Sequence, residues 1–299
     1  MKLSGLHLLL TYECNLECDH CFVWGSPWQS GTMTLARIRE ILKQAVELGT
    51  LEWIYFEGGE PFLYYPILMK AVQQASEMGL QVGIVSNGYW ATSKADALEW
   101  LSPFAGLIQD LSISSDLYHW DENLSRQAKI ASGAAEQLNI PVGLISIAQP
   151  EAADTSLAKG QLPIGESAVM YRGRAAQELA GRAAPHAWEE ITECPNEDLR
   201  EPGRIHVDPF GNLHICQGVV IGNLFEQSLA AVCSSYDPEA HAITGPLLVG
   251  GPRELVLRYN LPHEEQYADA CHLCDHARRE LRARFPEILI PDQMYLDPQ

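Results

Sequence analysis

Three cysteines stand close together near the start of the sequence, as Cys14-Asn-Leu-Glu-Cys18-Asp-His-Cys21. Thiolates are soft ligands that suit zinc and iron–sulfur clusters alike, and a loop leaving a strand can bend all three toward one point. A cubane of four irons takes four outside ligands, so three thiolates leave one iron open. A zinc ion held by three thiolates needs a fourth ligand, which His20 could supply. Three incidental core cysteines are the remaining reading. Four more lie far downstream, Cys194, Cys216, Cys271 and Cys274, the last two as a C-x2-C pair. Four thiolates close an iron–sulfur cluster completely, and they fit a structural zinc equally well. Cys233 stands apart in an apolar stretch and reads as a core thiol.

These residues need elements to position them, and the first 182 residues read as alternating strands and helices. Short strands are expected at 6–11, 52–56, 81–85, 107–114 and 141–147, with a sixth at 167–171 leading into an Ala-rich helix after Arg174. Leu35, Ile38, Ile41, Leu42, Ala45 and Leu48 recur at helical spacing and Gly49 closes that helix; Pro66 can open the next and Gly79 end it. Six βα units in this order predict an α/β fold with parallel strands, a partial (β/α)6 TIM-like barrel whose chemistry sits at the C-terminal strand ends. The cysteine group follows strand one, Gly58-Gly59-Glu60-Pro61 strand two, Ser86-Asn87-Gly88 strand three and Ser115-Asp116-Leu117-Tyr118-His119 strand four. Beyond residue 182 the pattern changes. A hairpin is expected from 204–207 and 213–215 around Asp-Pro-Phe-Gly-Asn, with helical stretches near 226–233 and 275–284, so residues 183–299 are expected to form a smaller metal-stabilised domain.

On these residues the chain resembles the radical S-adenosylmethionine (radical SAM) superfamily: its CxxxCxxC signature is present as Cys14, Cys18 and Cys21, and its GGEP element as Gly58, Gly59, Glu60 and Pro61. The resemblance implies a [4Fe-4S] cluster whose open iron is chelated by the methionyl amino and carboxylate groups of S-adenosyl-L-methionine. Gly58 and Gly59 would let backbone groups approach the ammonium, and Glu60 would add charge or hold the loop. Ser86 and Asn87 match the place where the family binds ribose or the methionyl carboxylate, although Ser-Asn-Gly is also a turn sequence. His20 stands where the family often has an aromatic near adenine, and Ile147 to Gln149 are a further candidate adenine contact. The region of Cys194, Cys216, Cys271 and Cys274, with residues 206–216 and Ile221-Gly222-Asn223-Leu224, looks like the shortened SPASM or twitch domain of certain radical enzymes, which implies one auxiliary [4Fe-4S] cluster; zinc in the same four thiolates is the alternative.

The implied reaction is reductive cleavage of S-adenosylmethionine to a 5'-deoxyadenosyl radical that removes a hydrogen atom from substrate, with a flavodoxin- or ferredoxin-type electron donor. Modification of a peptide side chain is the expected outcome. Radical dehydrogenation of a small alcohol or sugar is the alternative, and a non-catalytic zinc or electron-transfer protein the alternative of another class. Since strand one stands at the start of the sequence, no leader-binding domain is expected ahead of it. Asp116 and His119 are candidates to bind substrate or exchange a proton, with Asp116 also a candidate helix cap. Arg172 and Arg174 could bind a carboxylate or line the domain junction.

The surface argues in the same direction. With 39 acidic against 20 basic residues in 299, and no basic stripe, nucleic acid is not expected as a partner. No stretch approaches the length of a membrane span and no cleavable signal follows the first residues, so a cytoplasmic protein with reduced, metal-binding thiols is expected.

Overall fold

A computed structural model of the protein describes residues 1–122, 124–154 and 166–295. In chain order the elements are β1 (Leu3–Thr11), α1 (Leu35–Leu48), β2 (Trp53–Gly58), α2 (Tyr65–Glu77), β3 (Gln81–Ser86), α3 (Lys94–Leu101), β4 (Asp110–Ser114), α4 (Arg126–Gln137), β5 (Val142–Ile145), α5 (Pro150–Asp154), α6 (Arg174–Glu178), β6 (His186–Ala187), β7 (Gly203–Val207), β8 (Asn212–Cys216), β9 (Val219–Asn223), α7 (Leu229–Ser235), α8 (Thr244–Tyr259), β10 (Gln266–Tyr267) and α9 (Ala270–Leu281). The helices cover the sheet because their apolar stripes have nowhere else to go. In α1 the buried positions Ile38, Ile41, Leu42 and Ala45 recur at helical spacing, Thr34 caps the first turn by accepting from Arg37 N, and Gly49 closes the last with φ +73°. In α4 the buried face is alanine at 128, 131, 134 and 135, which lets the helix lie close on its strands.

Eight strands form one sheet in the order β5-β4-β3-β2-β1-β7-β8-β9. Strands β1 to β5 pair in parallel through βα crossovers. The fold is therefore α/β, as expected, and builds a partial barrel. The sixth parallel strand, however, is β7, which pairs with the free edge of β1. The strand expected at 167–171 is corrected by the structure: only Ser167 bridges to Ile147. Its neighbours bond elsewhere, Tyr171 N to Asp269 Oδ2 at 3.4 Å and Arg172 N to Met170 O at 2.8 Å, so an apolar, strand-like composition is overruled by where the segment docks. The hairpin follows as β7–β8, antiparallel, and continues into β9. The sheet thus runs without a break across the expected boundary at 182/183, and one apolar core extends from Leu3 to Tyr295. Helix α8 was not foreseen from periodicity, because Gly250 and Gly251 leave helical geometry ahead of Pro252 and divide its pattern in two.

Candidate functional site

At the C-terminal end of β1 the chain leaves the sheet for a long loop, pinned at its base by Tyr12 N to Gly31 O (3.0 Å) and Met33 N to Leu10 O (2.8 Å). Cys14, Cys18 and Cys21 lie on this loop and line one end of a cavity of about 990 Å³. Their sulfurs already receive donors: Leu16 N and Asn87 Nδ2 point to Cys14 Sγ (3.4 and 3.7 Å), and Gly25 N to Cys21 Sγ (3.2 Å). Burial pushes the Cys14 thiol up to about 12 and raises Cys18 as well. Such thiols give up their protons when a metal ion takes the proton's place. A side chain at Gly25 would stand against Cys21 Sγ and Gly59 Cα, so this position keeps the space between the sulfurs open. Three thiols, backbone donors aimed at two of them and an uncrowded cradle fit a metal cluster.

The Gly-Gly-Glu-Pro segment packs directly on that loop. Gly59 N donates to Thr11 O (2.7 Å) and Glu60 N to Glu13 O (2.9 Å), and a Cβ on Gly58 or Gly59 would collide with these same two carbonyls. The glycines are thus required by two backbones in contact, while both also border the cavity. Glu60 points away from the cavity and is fully buried: its oxygens accept from Phe62 N (3.0 Å), Ser86 Oγ (2.9 Å) and Asn87 N (2.7 Å). Burial pushes its carboxyl up to about 7 against those three hydrogen bonds. Of the two proposed roles, holding the loop is the one its contacts serve. Pro61 opens the short 3-10 turn that Glu60 caps.

Ser86 Oγ also receives Trp90 Nε1 (3.0 Å) and Gly88 N (3.1 Å), so its hydroxyl serves the turn, whereas Asn87 reaches across to Asn15 Oδ1 (2.9 Å). Both border the cavity. His20 stacks on Tyr118 with ring centroids 4.6 Å apart and meets His119 edge-on at 4.9 Å; among the described residues its buried Nδ1 has no partner. Burial and the neighbouring His119 lower His20 to about 4. Cys18, His20 and His119 lie close enough to share one metal ion, so the structure gathers a different set from the three cysteines plus His20.

Asp116 does not face the cavity. Oδ1 accepts from Tyr118 N, His119 N and His119 Nδ1 (3.1, 3.2 and 2.7 Å), and Oδ2 from Ile147 N (3.1 Å). It caps the turn after β4 and ties it to β5, while the N-cap of α4 is Ser125. His119 does border the cavity, held by Asp116 through Nδ1. Ile147 borders it too; Ala148 is buried with its carbonyl on Tyr118 Oη (3.1 Å), and Gln149 bonds Arg182 (2.9 Å).

The four downstream cysteines also come together: Cys194, Cys216, Cys271 and Cys274 line one small enclosed void with Arg172 and Arg278. Arg172 donates to Glu197 Oε1 (2.7 Å) and approaches Cys216 Sγ (3.5 Å), its buried Nε having no partner among the described residues, and Asn196 Nδ2 points to Cys271 Sγ (3.3 Å). Burial pushes Cys194 up to about 11 and Cys271 up to about 12. Two buried guanidinium groups beside four thiols fit an anionic tetrathiolate centre. Cys233 lies outside both groups, buried on α7. Arg174, by contrast, clamps the first loop, donating to Cys18 O (2.8 Å) and Gly25 O (3.0 Å). Neither arginine is free for a carboxylate ligand.

The remaining cavity wall escaped the sequence reading. Gly5 and His7 of β1, Trp53, Tyr55 and Glu57 of β2, Ser112 and Ser114 of β4, and Arg204 and His206 of β7 face inward. The signal was present as polar residues at every second position of otherwise apolar strands. Glu57 is held well below the usual carboxylate range: burial raises it, and the imidazoles of His7 and His206 outweigh that. Burial lowers His206.

Residues 8–131 match the family model described as the radical SAM superfamily. Among curated relatives, the chain is 34% identical over 111 residues, 37% of its length and 35% of the relative's, to a putative peptide biosynthesis protein, YydG, of Bacillus subtilis (strain 168). It is 31% identical over 134 residues, 44% of its length and 36% of the relative's, to a tungsten-containing aldehyde ferredoxin oxidoreductase cofactor-modifying protein of Pyrococcus furiosus. The matched segment is therefore a minor part of those proteins. Among solved structures, BtrN in complex with AdoMet and 2-DOIA superposes with TM-score 0.50 at 18% identity over 78% of this chain and 83% of that one. The structure of anSMEcpe with bound AdoMet superposes with TM-score 0.51 at 13% identity over 95% and 97%. These two share the fold. Among the described residues, no helix is long and apolar enough to cross a membrane.

Proposed function

We propose, from the premise that residues 8–131 are a radical SAM domain, that this chain is an enzyme which modifies a peptide side chain. The observation that carries the radical SAM reading is the meeting of Cys14, Cys18 and Cys21 with Gly58, Gly59 and Asn87 at one end of a single cavity. Cys14, Cys18 and Cys21 would hold a [4Fe-4S] cluster, which when bound with S-adenosylmethionine supplies one-electron cleavage chemistry for hydrogen abstraction. The chain's own residues do the positioning. Gly58 and Gly59 present bare backbone to the cofactor, Glu60 locks that strip to Ser86 and Asn87, and His20, backed by the stacked ring of Tyr118, offers an imidazole suited to a base. Asp116 keeps the proton of His119 on Nδ1, leaving Nε2 to accept one from the cavity side. Asp116 is thus a positioning residue. Cys194, Cys216, Cys271 and Cys274 would close one auxiliary [4Fe-4S] cluster, and a ferredoxin- or flavodoxin-type protein would deliver the electron.

Support for a peptide substrate is the likeness to the peptide biosynthesis relative and a cavity of about 990 Å³ that runs from the first cysteine loop to Arg204. The polar wall of Ser112, Ser114, Arg204 and His206 favours a second reading, dehydrogenation of a small alcohol or sugar. The first test is release of 5'-deoxyadenosine from S-adenosylmethionine under dithionite by anaerobically reconstituted protein. It should be lost in Cys18→Ala with the fold retained; intact S-adenosylmethionine in the iron-loaded wild type would sink the reading and leave an electron carrier. Cys271→Ala should lower iron and sulfide by one cluster, whereas loss of zinc alone would make the second site a zinc centre. A precursor-peptide frame beside the gene supports the peptide substrate; a sugar-biosynthesis cluster supports the other.

A further inference from the structure

Three potential ligands outside both cysteine groups meet on the cavity wall, one from each of the adjacent strands β1, β2 and β7. His7 Nδ1 lies 3.1 Å from Glu57 Oε2, His206 Nε2 lies 2.9 Å from Glu57 Oε1, and the donor atoms of all three residues fall within 4.8 Å of one another. Parallel pairing creates this: His7 is registered with Tyr55 on one side and His206 on the other, and Glu57 is one inward step further up β2. The ring of Tyr55 stacks on His7 at 4.8 Å and fixes its plane. The buried Glu57 Oε1 stands 2.9 Å from His206 Nε2. Gln217 is 5% exposed; among the described residues its Oε1 has no partner, while its Nε2 stands 3.3 Å from both nitrogens of His206.

We infer that His7, Glu57 and His206 form a divalent metal site of the zinc class, with an open coordination position facing the substrate cavity. Two imidazoles and a carboxylate are a ligand set zinc accepts with one position kept for an exogenous oxygen or nitrogen. An ion would sit among the carboxylate oxygens of Glu57 and the two imidazole nitrogens that stand 3.1 and 2.9 Å from them. The Gln217 amide beside the His206 ring is the kind of outer polar partner that metal-bound histidines normally have. The open position would take a carbonyl, carboxylate or hydroxyl oxygen of substrate.

The inference goes beyond the radical SAM reading and is measured separately from it. Anaerobically prepared holoenzyme, stripped with a chelating resin and given zinc, should retain one ion whose X-ray absorption shows N/O neighbours at about 2.0–2.2 Å and no sulfur at about 2.3 Å. Glu57→Gln and His206→Asn should weaken its retention beyond the roughly 10- to 100-fold that loss of an outer partner costs, and Gln217→Leu should stay within that range. Iron and sulfide per chain must be unchanged in each, which reports both the fold and the cysteine sites. Zinc with sulfur neighbours only, no retained zinc, or equal retention in Glu57→Gln would overturn the site. The wild-type spectrum decides the question even where a variant does not fold.

Discussion

Glu60 is the residue on which the architecture of the first site turns. A buried carboxyl that three donors hold, yet that burial pushes up to about 7, binds its proton more tightly in the folded chain than in the unfolded one. Its contribution to stability is therefore fully present below the ordinary carboxylate value and lost as pH rises through about 7. Glu60→Gln should remove that slope and, by turning an NH2 toward Asn87 N or Ser86 Oγ, destabilise the chain by about 1–3 kcal/mol. Urea unfolding of the anaerobic protein at several pH values measures both. If the variant retains the wild-type pH slope, Glu60 is not its source. At this scale Cys14, Cys18, Cys21 and residues 58–61 were legible in the sequence because each is a local strand-end motif. Asp116 misled, since a carboxylate after a strand reads the same whether it faces a cavity or caps its own turn. The partners of Glu57 could not be read at all: His7 and His206 stand 199 positions apart and meet only through strand pairing.

Among the elements, the β7–β8 hairpin depends on one buried carboxylate. Asp208 accepts from Phe210 N and Asn212 N (both 2.9 Å) on one oxygen, and from Tyr12 Oη, Asn212 Nδ2 and His214 Nε2 (3.2, 2.9 and 3.1 Å) on the other. It thereby shapes the turn and ties it to the base of the first cysteine loop. Asp208→Asn places an NH2 among donors and should cost about 3–5 kcal/mol, seen as a lower urea midpoint with an unchanged m value. An unchanged midpoint would show that the turn keeps its shape without the charge. Helices with a clean apolar stripe, such as α1, were legible for the same reason they are stable. The segment at 167–171 was not, because its composition specifies an extended chain but not the edge on which it docks.

For the molecule as a whole, the continuous sheet sets the terms of any division. β1 is flanked by β2 and β7, so a fragment ending at residue 182 would expose one whole edge of its central strand together with buried Leu6 and Leu8. Residues 1–182 expressed alone should aggregate or stay unfolded, with no cooperative melting. A soluble, cooperatively melting fragment would support the boundary read from the sequence.

Arg172 and Arg174 are separated by Gly173 alone, yet one stands at the tetrathiolate void and the other grips the first cysteine loop. A span that short reaches about 7 Å at most, so neither centre can shift far without dragging the other. Were both centres filled as proposed, their loading would be linked: the half filled first would pre-shape its neighbour, and iron would enter both sites together rather than independently.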